Sequence, residues 1–453
     1  MAIHPIEYRY GSKDIREIFE EEKKLEYQLK VEKVLIETLV EFGIVPQRLA
    51  KIIIKRANLK FVPLEEVRKG EKEIKHDIMA FVTVLSEACG KAGKYVHLTA
   101  TSYDIVDTVL ALQLKEAIGI LIKKGKKLLE SCLRISQKYK GLVMIGRTHG
   151  QHALPITLGF KFANFSAEIG EDIKRLVDDQ KYVLGKFSGA VGTQASQKVF
   201  NLPIEFEKRV LEKLDLKPAE ISTQVVAREN IARILADIVI FACSIEKIAK
   251  EIRNLQRTEI LELAEPFSKK QVGSSAMPQK RNPWQSESIC SNVKVIRGLL
   301  FPALENIALE HERDLTNSAA ERSIIPTIFV LADEILEKMI AILENLEVFP
   351  ENMKKNLELT QGRILAERIL NELVKKGLER QIAHSILREI ALESEKEKKS
   401  FQSALFESKK IKKYFKEEEL GEMLKYENYL GFALQKTEKI VKKWKLFLKQ
   451  ISH

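Results

Sequence analysis

Residues 228–264 read RENIARILADIVIFACSIEKIAKEIRNLQRTEILELA, thirty-seven positions without a proline or a glycine. Apolar side chains return at every third or fourth place: Ile231, Leu235, Ile238, Ala242, Ile245, Ile248, Ile252 and Leu255. That period puts one apolar stripe along an α-helix. At the α-helical rise the run makes a rod of about 55 Å. Such a rod needs neighbours along its whole stripe. Similar patterns cover roughly 103–139, 155–184, 284–311 and 327–347. The expectation is an all-α protein built on an elongated central bundle of long helices. Strand signals are scarce: no Asn-Gly or Asp-Gly turn joins alternating segments, and no Gly-x-Gly-x-x-Gly follows a buried strand.

The chain has 453 residues, enough for more than one domain. We read a helical N-terminal domain over 1–98, the long-helix bundle over 99–348, and a helical C-terminal domain over 349–453. The Lys/Glu-rich stretch KEKKSFQSALFESKKIKKYFKEEE in the last domain reads as a solvated helix face. A formal net charge of +11 suits a solvated surface, small anionic substrates or nucleic acid. For the last, no helix-turn-helix, zinc finger or base-stacking motif is present. Cys89, Cys132, Cys243 and Cys290 have neither paired nor metal-ligand spacing, which suggests a reduced, cytoplasmic chain. The N-terminus MAIHPIEYRYGSKD lacks an apolar signal region, and no apolar run reaches the length of a membrane span. Without His-Glu-x-x-His or Cys-x-x-Cys, no metal site is expected.

Two interruptions of the helical pattern carry unusual chemistry. One is G-R-T-H-G-Q-H-A-L-P, from Gly146 to Pro155; the other is G-S-S-A-M-P-Q-K-R-N-P, from Gly273 to Pro283. Both are expected as loops at the ends of rods. Asn282 suits an N-cap, Pro283 the first helical position, and Gln285 the N3 place of a capping box. A helix starting at 283 would aim its positive end back at the loop. Together with Lys280 and the loop N–H groups, that end would hold a carboxylate or a developing anion.

The second string resembles the signature loop of the fumarase/aspartase superfamily, and Gly146–His152 resembles its histidine loop. Thr101-Ser102-Tyr103-Asp104 resembles its third segment. Within the superfamily, the adenylosuccinate lyase branch is resembled by Arg9-Tyr10, His76-Asp77, Ser222–Val225 followed by Arg228-Glu229, and His311–Asp314 through Ala320–Arg322. The resemblance implies a homotetrameric, cofactor-free lyase whose active sites combine segments of different chains. Its reaction would be the reversible β-elimination of fumarate from adenylosuccinate, giving AMP, and from the succinyl-aminoimidazole-carboxamide ribotide of purine synthesis.

The same resemblance distributes the roles. Ser274 is the base, His149 the general acid, Glu287 the carboxylate that steadies the histidine, and His76 an assistant to the acid. Lys280 and Asn282 hold the carboxylate on which charge develops, beside Ser275 and Met277. Thr101 and Ser102 take the distal carboxylate, and Gln224, Asp77 and Thr148 line the substrate. Arg9, Tyr10, His97, Arg313, Ser318 and Arg322 surround the nucleotide phosphate. These residue types suit the chemistry. A carbon acid next to a carboxylate ionises only if cations and N–H donors take the charge. A histidine with pKa near about 6.5 can donate at neutral pH, and arginine forks match phosphate oxygens. The loop 268–282 is expected to move and close over substrate, to keep water from the carbanion.

Some positions depart from the branch's pattern. Gln279 stands in place of an aromatic or histidine, Tyr103 of a small hydroxyl residue, and Thr99 of a glycine. Leu154, Ala227 and Asn230 are also unusual neighbours. The alternatives are argininosuccinate lyase, a carboxymuconate cycloisomerase, a relative that has lost catalysis, or a basic helical protein that binds nucleic acid.

Overall fold

The periodic stretches form helices, but tertiary contacts set their ends. The computed structural model describes residues 4–267, 273 and 275–451. Seven helices organise the site: α1 (Glu21–Glu41), α2 (Asp77–Cys89), α3 (Ser102–Lys138), α4 (Leu158–Asp179), α5 (Glu229–Leu255), α6 (Trp284–Gly298) and α7 (Thr316–Glu344). Short helices fill most of the rest, so the fold is all-α, as the sequence period implies.

Three helix ends differ from the sequence reading. The 228–264 run stops at Leu255, because Gln256 turns its side chain to other work. Its Oε1 accepts the Glu265 N–H at 2.9 Å, and its Nε2 donates to the Arg281 carbonyl at 3.0 Å. Leu263–Ala264 then forms a two-residue strand paired antiparallel with Glu347–Val348. The 284–311 run breaks after Gly298 and resumes only as Leu300–Glu305. Conversely, α7 begins at Thr316 and runs through Pro326. Proline supplies no N–H to the ladder. One turn earlier the Ser323 carbonyl takes a second donor, the Thr327 hydroxyl, at 2.7 Å.

The largest departure is a β-hairpin where a loop was expected: β1 (Val143–Thr148) pairs antiparallel with β2 (Gln151–Thr157). His149 and Gly150 form its two-residue turn with φ of +53° and +72°. Two successive positive φ values match the twist of a hairpin. Glycine accepts that conformation freely, and histidine tolerates it better than branched residues do. The ladder bulges between Ile145 and Arg147. A Cβ on Gly146, at the bulge, would lie 2.9 Å from the Leu154 carbonyl oxygen.

The chain divides into two compact units. One comprises 1–125, 172–243 and 291–337; the other comprises 126–171, 244–290 and 338–453. In the first, Ile234, Leu235, Ile238, Ile328 and Phe329 are buried along α5 and α7. In the second, Ile145 of the hairpin joins a buried cluster with Leu365, Ile369, Leu373, Phe401 and Leu405 from the C-terminal helices. Among the described residues no helix is long and apolar enough to cross a membrane.

Candidate active site

In the second unit, four residues, Glu262 to Glu265, organise both expected catalytic segments. Glu262 is fully buried and makes a two-pronged pair with Arg147 of β1, with Nη2–Oε1 at 2.7 Å and Nη1–Oε2 at 2.9 Å. Asn356 Nδ2 adds a third hydrogen bond to Glu262 at 2.8 Å. The forked geometry fixes the tip end of β1, next to Thr148 and the turn at His149. Both of those residues are exposed at its tip.

Glu265, three residues on, is 3% exposed. Its carboxylate accepts the N–H groups of Gln285 at 3.2 Å and Ser286 at 2.6 Å, the open donors of the first turn of α6. Burial raises the Glu265 pKa, and these hydrogen bonds act against the rise. The expected capping by Asn282 is therefore replaced. The positive end of α6 is already met by the chain's own carboxylate, which offsets what it offers an outside anion. Asn282 works elsewhere: its Nδ2 donates to the Gly273 carbonyl at 2.8 Å and ties the loop's two ends together. Gly273 has no room for a side chain, since a Cβ there would sit 1.8 Å from the Lys280 carbonyl oxygen.

The two cations of the loop differ. Arg281 is anchored, with Nη1 on Glu347 at 3.0 Å and Nη2 on the Glu265 carbonyl at 3.2 Å. Lys280 is exposed, and its ammonium has no partner among the described residues. Met277, Lys280, Asn282 and Glu287 line one cavity of about 870 Å³, whose other wall carries Arg253 and Arg257. Thr148 and His149 are not in that lining. Ser275 is exposed on the loop, and Ser274, the expected base, lies outside the described residues, as do 268–272 of the expected moving loop.

The remaining expected residues lie in the first unit. The Thr101 N–H donates to Asp104 Oδ2 at 2.8 Å, the reciprocal half of a cap at the start of α3. Asp104 is fully buried, pairs with the equally buried Lys186, and accepts the Gly189 N–H at 3.2 Å. This holds Thr101 and Ser102 against a second segment. Arg313 donates to Gln224 Oε1 at 2.7 Å, while Gln224 Nε2 donates to the Ala190 carbonyl at 3.0 Å. On α7 the exposed Arg322 donates to Ser318 at 3.2 Å, as their four-residue spacing implies. Beneath them the buried Arg228 is locked between Asp107 and Glu321, with three contacts at 2.8–2.9 Å.

His97 adopts φ +61°, with Nδ1 2.7 Å from Glu32 Oε1 and its backbone N–H 3.1 Å from Glu32 Oε2. Burial opposes protonation of this ring. The hydrogen bond and charge of Glu32 outweigh it, and the His97 pKa rises above its ordinary value. His76 caps α2 by accepting the Met79 N–H at 3.3 Å, next to Asp77. Arg9 and Tyr10 follow a short helical turn, Pro5–Glu7, with Arg9 6.0 Å from the Tyr10 ring centre. Sequence reasoning missed the supporting acids Glu32, Asp107, Glu262 and Glu265. Only Asp104 carried a local signal, three residues after Thr101.

A family model described as "Lyase" matches residues 7–298, and one described as "Adenylosuccinate lyase C-terminus" matches 362–440. The chain is 48% identical to the adenylosuccinate lyase of Pyrococcus horikoshii over 97% of its length and 98% of that protein. To that of Methanocaldococcus jannaschii it is 44% identical, over 98% and 96% of the two chains. Among solved structures, the fold is similar to a fumarate lyase from Mesorhizobium sp. BNC1, with a TM-score of 0.88, 27% identity, and coverage of 95% and 98% of the two chains. It is also similar to the 3-carboxy-cis,cis-muconate lactonizing enzyme of Pseudomonas putida, with a TM-score of 0.89, 27% identity, and coverage of 98% and 99%.

Proposed function

Because this chain belongs to the adenylosuccinate lyase family, we infer that it is a lyase that reversibly eliminates fumarate from adenylosuccinate to give AMP. The observation that carries the substrate is the near full-length similarity to proteins of that name. The muconate enzymes share the fold at lower identity. The succinyl-aminoimidazole-carboxamide ribotide presents the same succinyl group and is the second substrate.

In the reaction, Ser274 removes the proton from the succinyl carbon next to a carboxylate. The electron pair forms the carbon–carbon double bond, the C–N bond breaks, and His149 protonates the departing nitrogen. Lys280, an exposed ammonium beside the cavity, supplies the charge for the intermediate carboxylate. The loop's remaining N–H groups assist it, because α6 has spent its first-turn donors on Glu265. Glu287 and His76 support the acid, and Ser275, Met277, Asn282, Thr148 and Asp77 shape the succinyl end. Thr101 and Ser102 bind the distal carboxylate, and Gln224 offers its side-chain amide to the substrate. Arg9, Tyr10, His97, Arg313, Ser318 and Arg322 hold the phosphate. No cofactor enters the scheme.

The active enzyme is a homotetramer with sites shared between chains. This reading is supported by the exposure of His149, Lys280 and Glu287 in a single chain. Exposed apolar residues such as Ile240, Val295, Phe301 and Leu304 also support it. The division into N-terminal, bundle and C-terminal domains goes with this assembly. A cytoplasmic setting fits four free cysteines, three of them buried.

The test is to incubate purified protein with adenylosuccinate and, separately, argininosuccinate, following fumarate. Release from the first alone, with thermal stabilisation by AMP and not by arginine, is the expected result. Fumarate from argininosuccinate alone would overturn the substrate assignment. Ser274→Ala or His149→Ala with near wild-type turnover would remove that residue from its role.

A further inference from the structure

Tyr103 occupies the first turn of α3, where the family resemblance puts a small hydroxyl residue and leaves this one without a role. It is 6% exposed, and its ring lies beneath Arg313, whose guanidinium carbon is 3.6 Å from the ring centre. That is the separation of a stacked cation and π face. Arg313 differs in kind from Arg228 in the same unit. Arg228 is saturated by the carboxylates of Asp107 and Glu321. Hydrogen bonds lower the pKa of the neighbouring Asp314 and the charge of Arg313 helps, but Arg313 makes no ion pair with a carboxylate among the described residues. Its side-chain hydrogen bond there runs to the neutral Gln224, and its Nε has no partner. Gln224 is itself held, by its N–H on the Glu312 carbonyl at 3.3 Å and its Nε2 on Ala190.

An arginine side chain gives up considerable rotamer freedom when it is ordered. A carboxylate partner orders it but neutralises it. An aromatic face orders it and leaves its charge available. We propose that Tyr103 is the positioning residue that holds Arg313 flat and fully charged for the nucleotide phosphate, so that binding does not have to order a loose side chain. The proposal rests on the reading of Arg313 as a phosphate-binding group. Because the guanidinium covers one ring face and the side chain is buried, Tyr103 is not a platform for the purine base.

The experiment uses the full-length assembled enzyme and four variants: Tyr103→Leu, Tyr103→Met, Tyr103→Phe and Arg313→Gln, with the Tyr103→Leu/Arg313→Gln double variant. Leu and Met fill space without a π face, and two of them guard against one failing to fold. AMP and adenosine affinities are measured, with KM and kcat for adenylosuccinate. Loss of the stack should weaken AMP by about 3- to 30-fold, leave adenosine unchanged, and act mainly on KM. Tyr103→Phe should restore the affinity lost in Tyr103→Leu. The double variant should bind AMP no more weakly than Arg313→Gln alone. Equal loss for AMP and adenosine, or additive losses in the double variant, would overturn the proposal. So would unchanged AMP affinity in Tyr103→Leu when Arg313→Gln weakens it. If Arg313→Gln leaves AMP binding intact, the phosphate reading of Arg313 falls instead.

Discussion

Replacing Glu32 by glutamine isolates the charge that favours the protonated form of His97. Glu32 has no exposed side-chain surface and His97 only 12%, so solvent screens their contact weakly. Hydrogen bonds to a charged group contribute about 1.5–3 kcal/mol net, and the 2.7 Å contact is of that kind. The sign follows from linkage. The folded-state pKa of His97 is raised above its ordinary value of 6.5. The stability it contributes is therefore fully present below that value and is lost as pH rises through the folded pKa. In Glu32→Gln the amide retains one acceptor for the His97 N–H but no longer favours the imidazolium. Thermal unfolding of both proteins between pH 5.5 and 9, at one protein concentration, reads the difference. The variant should trail the wild type by about 1.5–3 kcal/mol at the acidic end, and the gap should narrow toward the alkaline end. Two curves separated by a constant offset would refute the reasoning, because the glutamate would then act only as a neutral acceptor.

Other outcomes follow from the geometry around the loop and hairpin. Gly273→Ala forces a Cβ to 1.8 Å from the Lys280 carbonyl oxygen, so the loop must open. Turnover should fall at least about tenfold, a barrier change of roughly 1.4 kcal/mol, with little change in the melting temperature, because the shift is confined to the Gly273–Lys280 approach; wild-type kcat would exclude a role for that approach. Glu262→Ala leaves Arg147 half of a broken, largely buried pair and should destabilise by about 3 kcal/mol or more; an unchanged melting temperature would show that the tip end of the hairpin is held otherwise. Mixing inactive Ser274→Ala and His149→Ala chains, then unfolding and reassembling them, should restore about one quarter of the sites if each site draws the two residues from different chains. No recovery on reassembly would mean that one chain supplies both.

The long helices were legible because one apolar stripe repeats at 3.6 residues over many turns, a signal no loop imitates. Their ends were less so. Nothing local distinguishes Gln256 from other helical glutamines, and only the distant Glu265 and Arg281 draw it out of the α5 pattern. The hairpin escaped notice because its turn is His149-Gly150, not one of the dipeptides that usually advertise two positive φ values. The residues proposed to touch substrate are polar groups in turn-rich strings, which is why the sequence offers them as candidates. Glu32, Glu262 and Glu265 act on partners tens or hundreds of positions away, 65 in the case of Glu32 and His97. In one dimension they look like any other helix-forming acid. The capping of α6 is the instructive error. Asn282-Pro283 fits a helix start by every local rule, yet a buried carboxylate from another segment takes the donors and releases Asn282 to clamp the loop.

The direct trial of the account is single-turnover release of fumarate from adenylosuccinate by the wild type and by Lys280→Met, with AMP binding measured beside it. Lys280→Met should bind AMP like the wild type and release fumarate at least about a hundredfold more slowly, the loss expected when one preorganised charge on a developing anion is removed. If the variant bound AMP and released fumarate at the wild-type rate, the charge on that loop would not be what makes the succinyl carbon acidic, and the proposed mechanism would be wrong.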